Sequence, residues 1–306
     1  MKDLIISHVA DIDGVSPVIL MKLCKINFDF ELKEIYEVDE FVCELIKEDL
    51  SMYKNIYITD LTILESTYQK INESIYKEKF KVFDHHKTHT YACKYNYVTI
   101  NINECATSIF YKYLKKKYKF KKQVSEYVEH VKNLDLWLFE EKNDTYAKKL
   151  GDLFSIYGKK RYIEEMYKKL KARKKFKLSK FEEEILSLEQ DRVDRHILNK
   201  EKELITIKYE NYLGGLVFNS NYRSELGNTL SKRHPELDFI VMINMSGGMS
   251  FRTDKDIDIS VIAKKLNGGG HAKACGAPIK LEDKINLIKT LFKGCEIIEN
   301  KEDNNR

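Results

Sequence analysis

The sequence predicts an α/β protein in three segments. An amino-terminal domain on a parallel sheet comes first, then a helical connector, then a smaller α/β domain, with the functional site in the cleft between the two domains. Three observations carry this reading. Short apolar runs at Leu4–Ser7, Asn55–Asp60 and Lys79–Asp84 alternate with helical stretches, the pattern of a parallel sheet covered on both faces. From about Tyr157 to Lys200 charges dominate and glycine disappears after Gly158. Beyond it glycine returns (Gly214, Gly215, Gly227, Gly247, Gly248) together with new apolar runs. The boundaries expected are 1–156, 157–202 and 203–306.

Taken in order, Leu4–Ser7 is the first strand. Ser16-Pro17 is read as a cap followed by proline at the first helical position, starting a helix that runs to about Lys25. A weaker strand is expected over Phe30–Glu37, and stronger ones over Asn55–Asp60 and Lys79–Asp84. Thr107 or Ser108 would cap a helix along Ile109–Lys116. In the connector, Phe181, Ile185 and Leu188 recur at helical spacing. Strands follow near Leu216–Asn219, Phe239–Asn244 and Ser250–Thr253, and a helix from about Ser260 is closed by Gly268 to Gly270. The last residues, Asn300 to Arg306, are expected to fray.

Composition excludes more than it assigns. With 306 residues, 43% apolar and 33% charged, the chain can bury a substantial core. A net charge of +5 gives only a mild preference for anions, and Lys115-Lys116-Lys117 and Lys171 to Lys175 are expected to be solvated helix faces. No run approaches the ~20 apolar residues of a membrane span, and Leu4-Ile5-Ile6 is too short for a secretion signal. The six cysteines form no Cys-x-x-Cys pair, which suits reduced thiols in the cytoplasm.

The chemistry lies at three strand ends. The first strand ends in SHVADIDG (Ser7 to Gly14), the next strong one in YITDLT (Tyr57 to Thr62), and the third in KVFDHHKTH (Lys81 to His89), which holds three of the eight histidines. Carboxyl ends of neighbouring parallel strands face one crevice, so His8, Asp11, Asp13, Asp60, Asp84, His85 and His86 converge. Carboxylates packed so closely repel by several kcal/mol unless cations neutralise them. Mixed carboxylate and imidazole donors suit Mn²⁺, Fe²⁺ or Co²⁺, and this many acids suit two ions about 3.5–4 Å apart sharing one Asp. Asp135, set among Leu134, Leu136 and Leu138 beside the single Trp137, is a further acid that is costly to bury alone.

These residues resemble the DHH phosphoesterases, named after the triplet that here is Asp84-His85-His86. The resemblance spans nearly the whole chain: motif one at His8, Asp11, Asp13 and Gly14, motif two at Asp60, motif three at the triplet, motif four at Asp135. The carboxyl half resembles the DHHA1 domain through Gly268-Gly269-Gly270-His271. YRSELGN (Tyr222 to Asn228) with HPELDFIVMINM is most similar to the oligoribonuclease, or nano-RNase, branch. The resemblance implies one metal on His8 and Asp11, a second on Asp13, His85 and Asp135, and Asp60 bridging. It implies Mn²⁺, with Mg²⁺ or Co²⁺ as alternatives. This chain departs from the branch in the extra residue between His8 and Asp11, in Cys105 where serine is usual, and in Cys275 where serine or alanine is common.

The expected activity is metal-assisted hydrolysis of short oligoribonucleotides to nucleoside 5′-monophosphates. Asp84 would orient or accept a proton from the attacking water, or fix the tautomer of a neighbouring imidazole, and His86 would face the phosphoryl group as acid. Arg252 would grip a phosphate, with Arg223, His271 and an anion nest at Gly268, Gly269 and Gly270 as further contacts. Alternatives are a 3′-phosphoadenosine 5′-phosphate phosphatase, a phosphodiesterase for linear dinucleotides such as pApA or pGpG, and an inactive nucleic-acid-binding scaffold. No obligate protein partner is evident, and a homodimer is compatible with this reading.

Overall fold

A computed structural model of the protein describes residues 1–172, 176–294 and 296. The chain divides into two compact units, Met1–Leu186 and Ser187–Arg306. The sequence-based boundaries at 156 and 202 do not coincide with this partition. Arg173 to Lys175 and the tail Asn300 to Arg306 lie outside the described residues.

The first unit runs β1 (Lys2–His8), α1 (Ile12–Cys24), β2 (Phe28–Lys33), α2 (Ile35–Leu45), β3 (Tyr53–Thr59), α3 (Glu65–Glu73), β4 (Phe80–Asp84), β5 (Val98–Ile100), α4 (Ala106–Lys115), α5 (Lys122–Asp135) and α6 (Thr145–Lys171). It ends within α7 (Lys180–Glu201). Its five strands are all parallel, in the order β2-β1-β3-β4-β5. The period-two alternation of β1 divides its side chains between two cores. Leu4 and Ile6 join Ile56, Ile58 and Val82 under α2 and α3, whereas Ile5 joins Tyr57 and Phe83 under α1, α4, α5 and α6. The strand order reverses at β1, so the crevice for a ligand lies beyond the carboxyl ends of β1 and β3.

Several expectations are corrected. The first helix starts four residues earlier than Ser16, capped by Asp11, whose carboxylate accepts the Gly14 amide at 2.9 Å. Ser16 is instead buried within α1, bonded to Ile12 O and Tyr127 Oη. Pro17 therefore sits mid-helix, where its missing N–H deprives the Asp13 carbonyl of a partner. Thr107 Oγ1 supplies that bond at 2.7 Å. Replacing Thr107 by the near-isosteric valine should cost about 1–3 kcal/mol, as expected when a buried acceptor loses its donor. In a Pro17→Ala background the backbone amide restored at that position should absorb most of the loss. Equal losses in both backgrounds, by urea unfolding, would refute this account.

The second strand stops at Lys33 because Glu34 turns into α2, its amide donating to Glu37 Oε2 at 2.8 Å. Helix α4 begins at Ala106, ahead of the expected caps. In α7 the buried positions are Glu182, Leu186, Val193 and Ile197, while Phe181 and Leu188 are exposed. Lys169 and Ser179 satisfy Glu182, so a buried acid stands where an apolar residue was expected.

The second unit continues with β6 (Ile205–Tyr209), β7 (Tyr212–Phe218), α8 (Arg223–Arg233), β8 (Phe239–Asn244), β9 (Gly248–Arg252), α9 (Ser260–Lys265), β10 (Gly269–His271), β11 (Ala274–Ala277) and α10 (Leu281–Leu291). Its six strands lie in the order β10-β11-β9-β8-β7-β6, with β7 and β8 parallel and the other neighbours antiparallel. The triple glycine begins at a helix end and continues as a strand. Asn267, with φ +61°, ends α9, the Gly268 amide donates to Ala263 O at 2.8 Å, and Gly269 and Gly270 run on as a strand.

Candidate active site

Each predicted strand end delivers its residues to the crevice. His8 closes β1, and α1 begins immediately beneath it; a Cβ at Gly14 would come within 2.3 Å of the His8 carbonyl oxygen, so only glycine lets the helix turn here. Asp60 follows β3 with φ +57°, a left-handed backbone rarely held by a residue other than glycine, pinned by its amide to Phe83 O at 3.0 Å. Asp84 ends β4 fully buried.

The side chains gather in two sets that share a middle. His8 Nδ1 lies 3.2 Å from Asp60 Oδ2 and 3.6 Å from Asp11 Oδ2, so the extra residue between His8 and Asp11 does not withdraw the imidazole. His85 Nε2 lies 3.4 Å from Asp60 Oδ1, 3.5 Å from Asp135 Oδ2 and 3.8 Å from Asp13 Oδ2. The triads His8–Asp11–Asp60 and Asp13–His85–Asp135 each offer donor atoms close enough to hold one metal ion.

Asp13 is aimed by a device the sequence did not reveal. The first amides of α4, Ala106 N and Thr107 N, each donate to its carboxylate at 2.8 Å, so the positive end of a helix faces it. The only sequence signal was the misplaced cap at Thr107, because α4 is capped by a distant carboxylate and not by its own side chain. Glu34 Oε2, 4.0 Å from His8 Nε2, is an acid at this site that the sequence did not reveal.

Charge in the crevice is unbalanced. Burial pushes Asp13 well above the usual carboxylate range, and the charges of Asp60 and Asp135 push the same way. Burial likewise takes Asp135 up to about 7, although His85 opposes it. Burial disfavours charged His8, but hydrogen bonds to Asp11 and Asp60 outweigh it and raise the imidazole to about 10. Among the described residues, Asp135 Oδ2 is the buried side-chain atom with no hydrogen-bond partner. An orphaned carboxylate oxygen, with His85 too distant for a good hydrogen bond, fits a donor set arranged around cations.

Asp84 differs from the other acids. Burial would raise it, but His86 and His89 hold it well below the usual range. Its Oδ1 lies 2.7 Å from His86 Nδ1, and its Oδ2 bonds His89 Nδ1.

In the second unit Arg252 ends β9, with Nη1 on Phe251 O at 2.8 Å and Nη2 3.4 Å from Ser224 Oγ. Arg223 opens α8, following Tyr222 in a left-handed conformation. No carboxylate pairs with Arg223 or Arg252 among the described residues. Arg252 aligns with Ala274 and Ala274 with His271, so Arg252 and His271 stand in one cross-strand row of the sheet. His271 is exposed. The structure thus groups Arg223, Arg252 and His271 in one unit, with the Gly268 amide engaged by Ala263 O.

The DHHA1 domain family matches residues 223–295. The oligoribonuclease NrnB of Bacillus subtilis is 32% identical over 285 residues, covering 88% of this chain and 71% of that protein. A 3′,5′-cyclic-nucleotide phosphodiesterase of Helicobacter pylori is 24% identical over 324 residues, covering 90% and 92%. Among solved structures, the pGpG-specific phosphodiesterase PggH of Vibrio cholerae has the same fold, with a TM-score of 0.58 at 17% identity over 95% of this chain and 97% of that one. No described helix is long and apolar enough to cross a membrane.

Proposed function

Since the chain belongs to the DHH phosphoesterases that carry a DHHA1 domain, we propose that it hydrolyses short oligoribonucleotides to nucleoside 5′-monophosphates with two divalent cations, Mn²⁺ foremost. The observation that carries this reading is the pair of triads, with Asp60 of the first set 3.4 Å from His85 of the second and the unpartnered oxygen of Asp135 among them. His8 and Asp11 would hold one ion, Asp13, His85 and Asp135 the other, and Asp60 both. Bound there, the cations supply Lewis acidity, easing loss of a proton from water and offsetting charge on the phosphoryl oxygens.

The chain's own residues do the rest. With both oxygens engaged by imidazoles and no exposure, Asp84 suits the orienting role better than that of proton acceptor from water. It holds the Nδ1 side of His86, leaving Nε2 to hydrogen-bond the leaving oxygen. The Asp84 hydrogen bond also raises the His86 imidazole above its usual value, which favours the protonated form a general acid needs. Arg252, helped by Arg223 and His271, would bind a phosphate of the same substrate.

Mass-resolved hydrolysis with Mn²⁺ tests the substrate. RNA dinucleotides and pentanucleotides should go to mononucleotides while strands of several dozen residues are largely spared. Preference for 3′-phosphoadenosine 5′-phosphate would transfer the site to nucleotide recycling, and preference for pGpG alone would narrow it to linear dinucleotides. Inactivity on all of them with metal bound would point to a scaffold.

A further inference from the structure

The third histidine of the strand-end stretch, His89, has no part in the function argued above, yet it and Tyr68 are fully buried. Tyr68 Oη lies 2.7 Å from His89 Nε2, and His89 Nδ1 bonds Asp84 Oδ2. Asp84 Oδ1 in turn lies 2.7 Å from His86 Nδ1. A continuous hydrogen-bonded line therefore runs from α3 through the interior to the half-exposed His86. Tyr68 has little freedom to leave it, being stacked on Tyr95 at 5.0 Å and packed edge-on to Tyr91.

Asp84, ionised, can only accept, so His89 carries a proton on Nδ1. The Tyr68 hydroxyl has His89 Nε2 as its hydrogen-bond partner among the described residues, so the ring is held from both sides. An apolar residue would fill the same space but leave Asp84 Oδ2 with only the 3.4 Å contact from Thr62 Oγ1. The carboxylate could then turn, and His86 with it.

We propose that His89, backed by Tyr68, is a positioning residue that fixes the Asp84 carboxylate so that His86 presents Nε2 to the leaving oxygen. The proposal rests on the phosphodiesterase reading above. Supports of this kind are typically worth about 10- to 100-fold in activity. On a dinucleotide, His89→Leu should lower kcat by about that factor with KM within about twofold. His89→Asn, whose amide can still donate near the Nδ1 position, should recover most of the loss. In a His86→Ala background, His89→Leu should cost less than about threefold, because the group it positions is gone.

A folded His89→Leu enzyme with full turnover overturns the proposal. So do equal losses with and without His86, which would mark a merely structural histidine. Should His89→Leu fail to fold, Tyr68→Phe replaces it, with a several-fold loss of kcat expected only when His86 is present; an unchanged kcat overturns the proposal. NMR of ¹⁵N-histidine-labelled wild-type protein gives a readout independent of turnover. His89 should show a protonated, slowly exchanging Nδ1, and a bare Nδ1 would overturn the proposal. If the wild-type protein cleaves no phosphodiester while this signature is present, the functional reading fails and the hydrogen-bonded line stands.

Discussion

Asp60→Asn should abolish phosphodiester hydrolysis while leaving the protein folded. Asp60 belongs to the first triad and also faces the second, 3.2 Å from His8 and 3.4 Å from His85. The amide keeps the shape and tolerates the left-handed backbone at φ +57°, which asparagine adopts more readily than most residues. What it removes is a negative charge between two proposed cations. Losing several kcal/mol of transition-state stabilisation corresponds to about 10³-fold or more in kcat. Stability should hold, because the Asp60 charge pushes both Asp13 and Asp135 upward, so removing it relieves repulsion. Asp60→Ala should be equally inactive. Turnover within tenfold of wild type in either variant, with the thermal melt unchanged, would remove Asp60 from the bridging position. Calorimetric titration with Mn²⁺ supplies the second check: wild type should bind two ions and the variant fewer.

The success and the limits of the sequence reading have the same physical origin. β1, β3 and β4 are mostly buried towards their carboxyl ends, so they appear as short apolar runs, and their polar ends mark the crevice without any knowledge of tertiary contacts. Asp11, Asp13, Asp60 and Asp84 were legible for that reason. The parts that escaped depend on partners far along the chain. Ser16-Pro17 looks like a helix start, but the proline is tolerated in mid-helix because Thr107, ninety-odd residues later, satisfies Asp13 O. α4 lacks a local side-chain cap because Asp13 receives its first amides. Phe181 and Leu188 keep helical spacing on an exposed face, while the buried face carries Glu182, which is tolerated there only beside Lys169. His89 showed itself as a third histidine, but nothing local distinguishes a surface imidazole from one buried between Tyr68 and Asp84.

Arg252→Ala should raise KM steeply and leave kcat nearly unchanged. The guanidinium already has fixed neighbours: its stem packs so close to α8 that a Cβ at Gly227 would come within 2.6 Å of Arg252 Cγ, and Nη1 rests on Phe251 O. Holding the fork in place removes much of the entropy that a flexible arginine loses on binding. Burial lowers its pKa from the usual value, the Glu225 charge acts on it without forming an ion pair, and an incoming phosphate therefore gains a charge-assisted contact without breaking one. Such hydrogen bonds are worth about 1.5–3 kcal/mol, or roughly 10- to 100-fold in KM. Because Arg252 belongs to the second unit and none of the proposed metal ligands do, it should bind ground state and transition state alike, which predicts kcat within about threefold. Arg252→Lys should recover only part of the affinity, since an ammonium is a point charge without the paired donors. An unchanged KM in Arg252→Ala would take this arginine out of the phosphate site. A kcat loss as large as the KM change would instead place it on the reacting phosphoryl group.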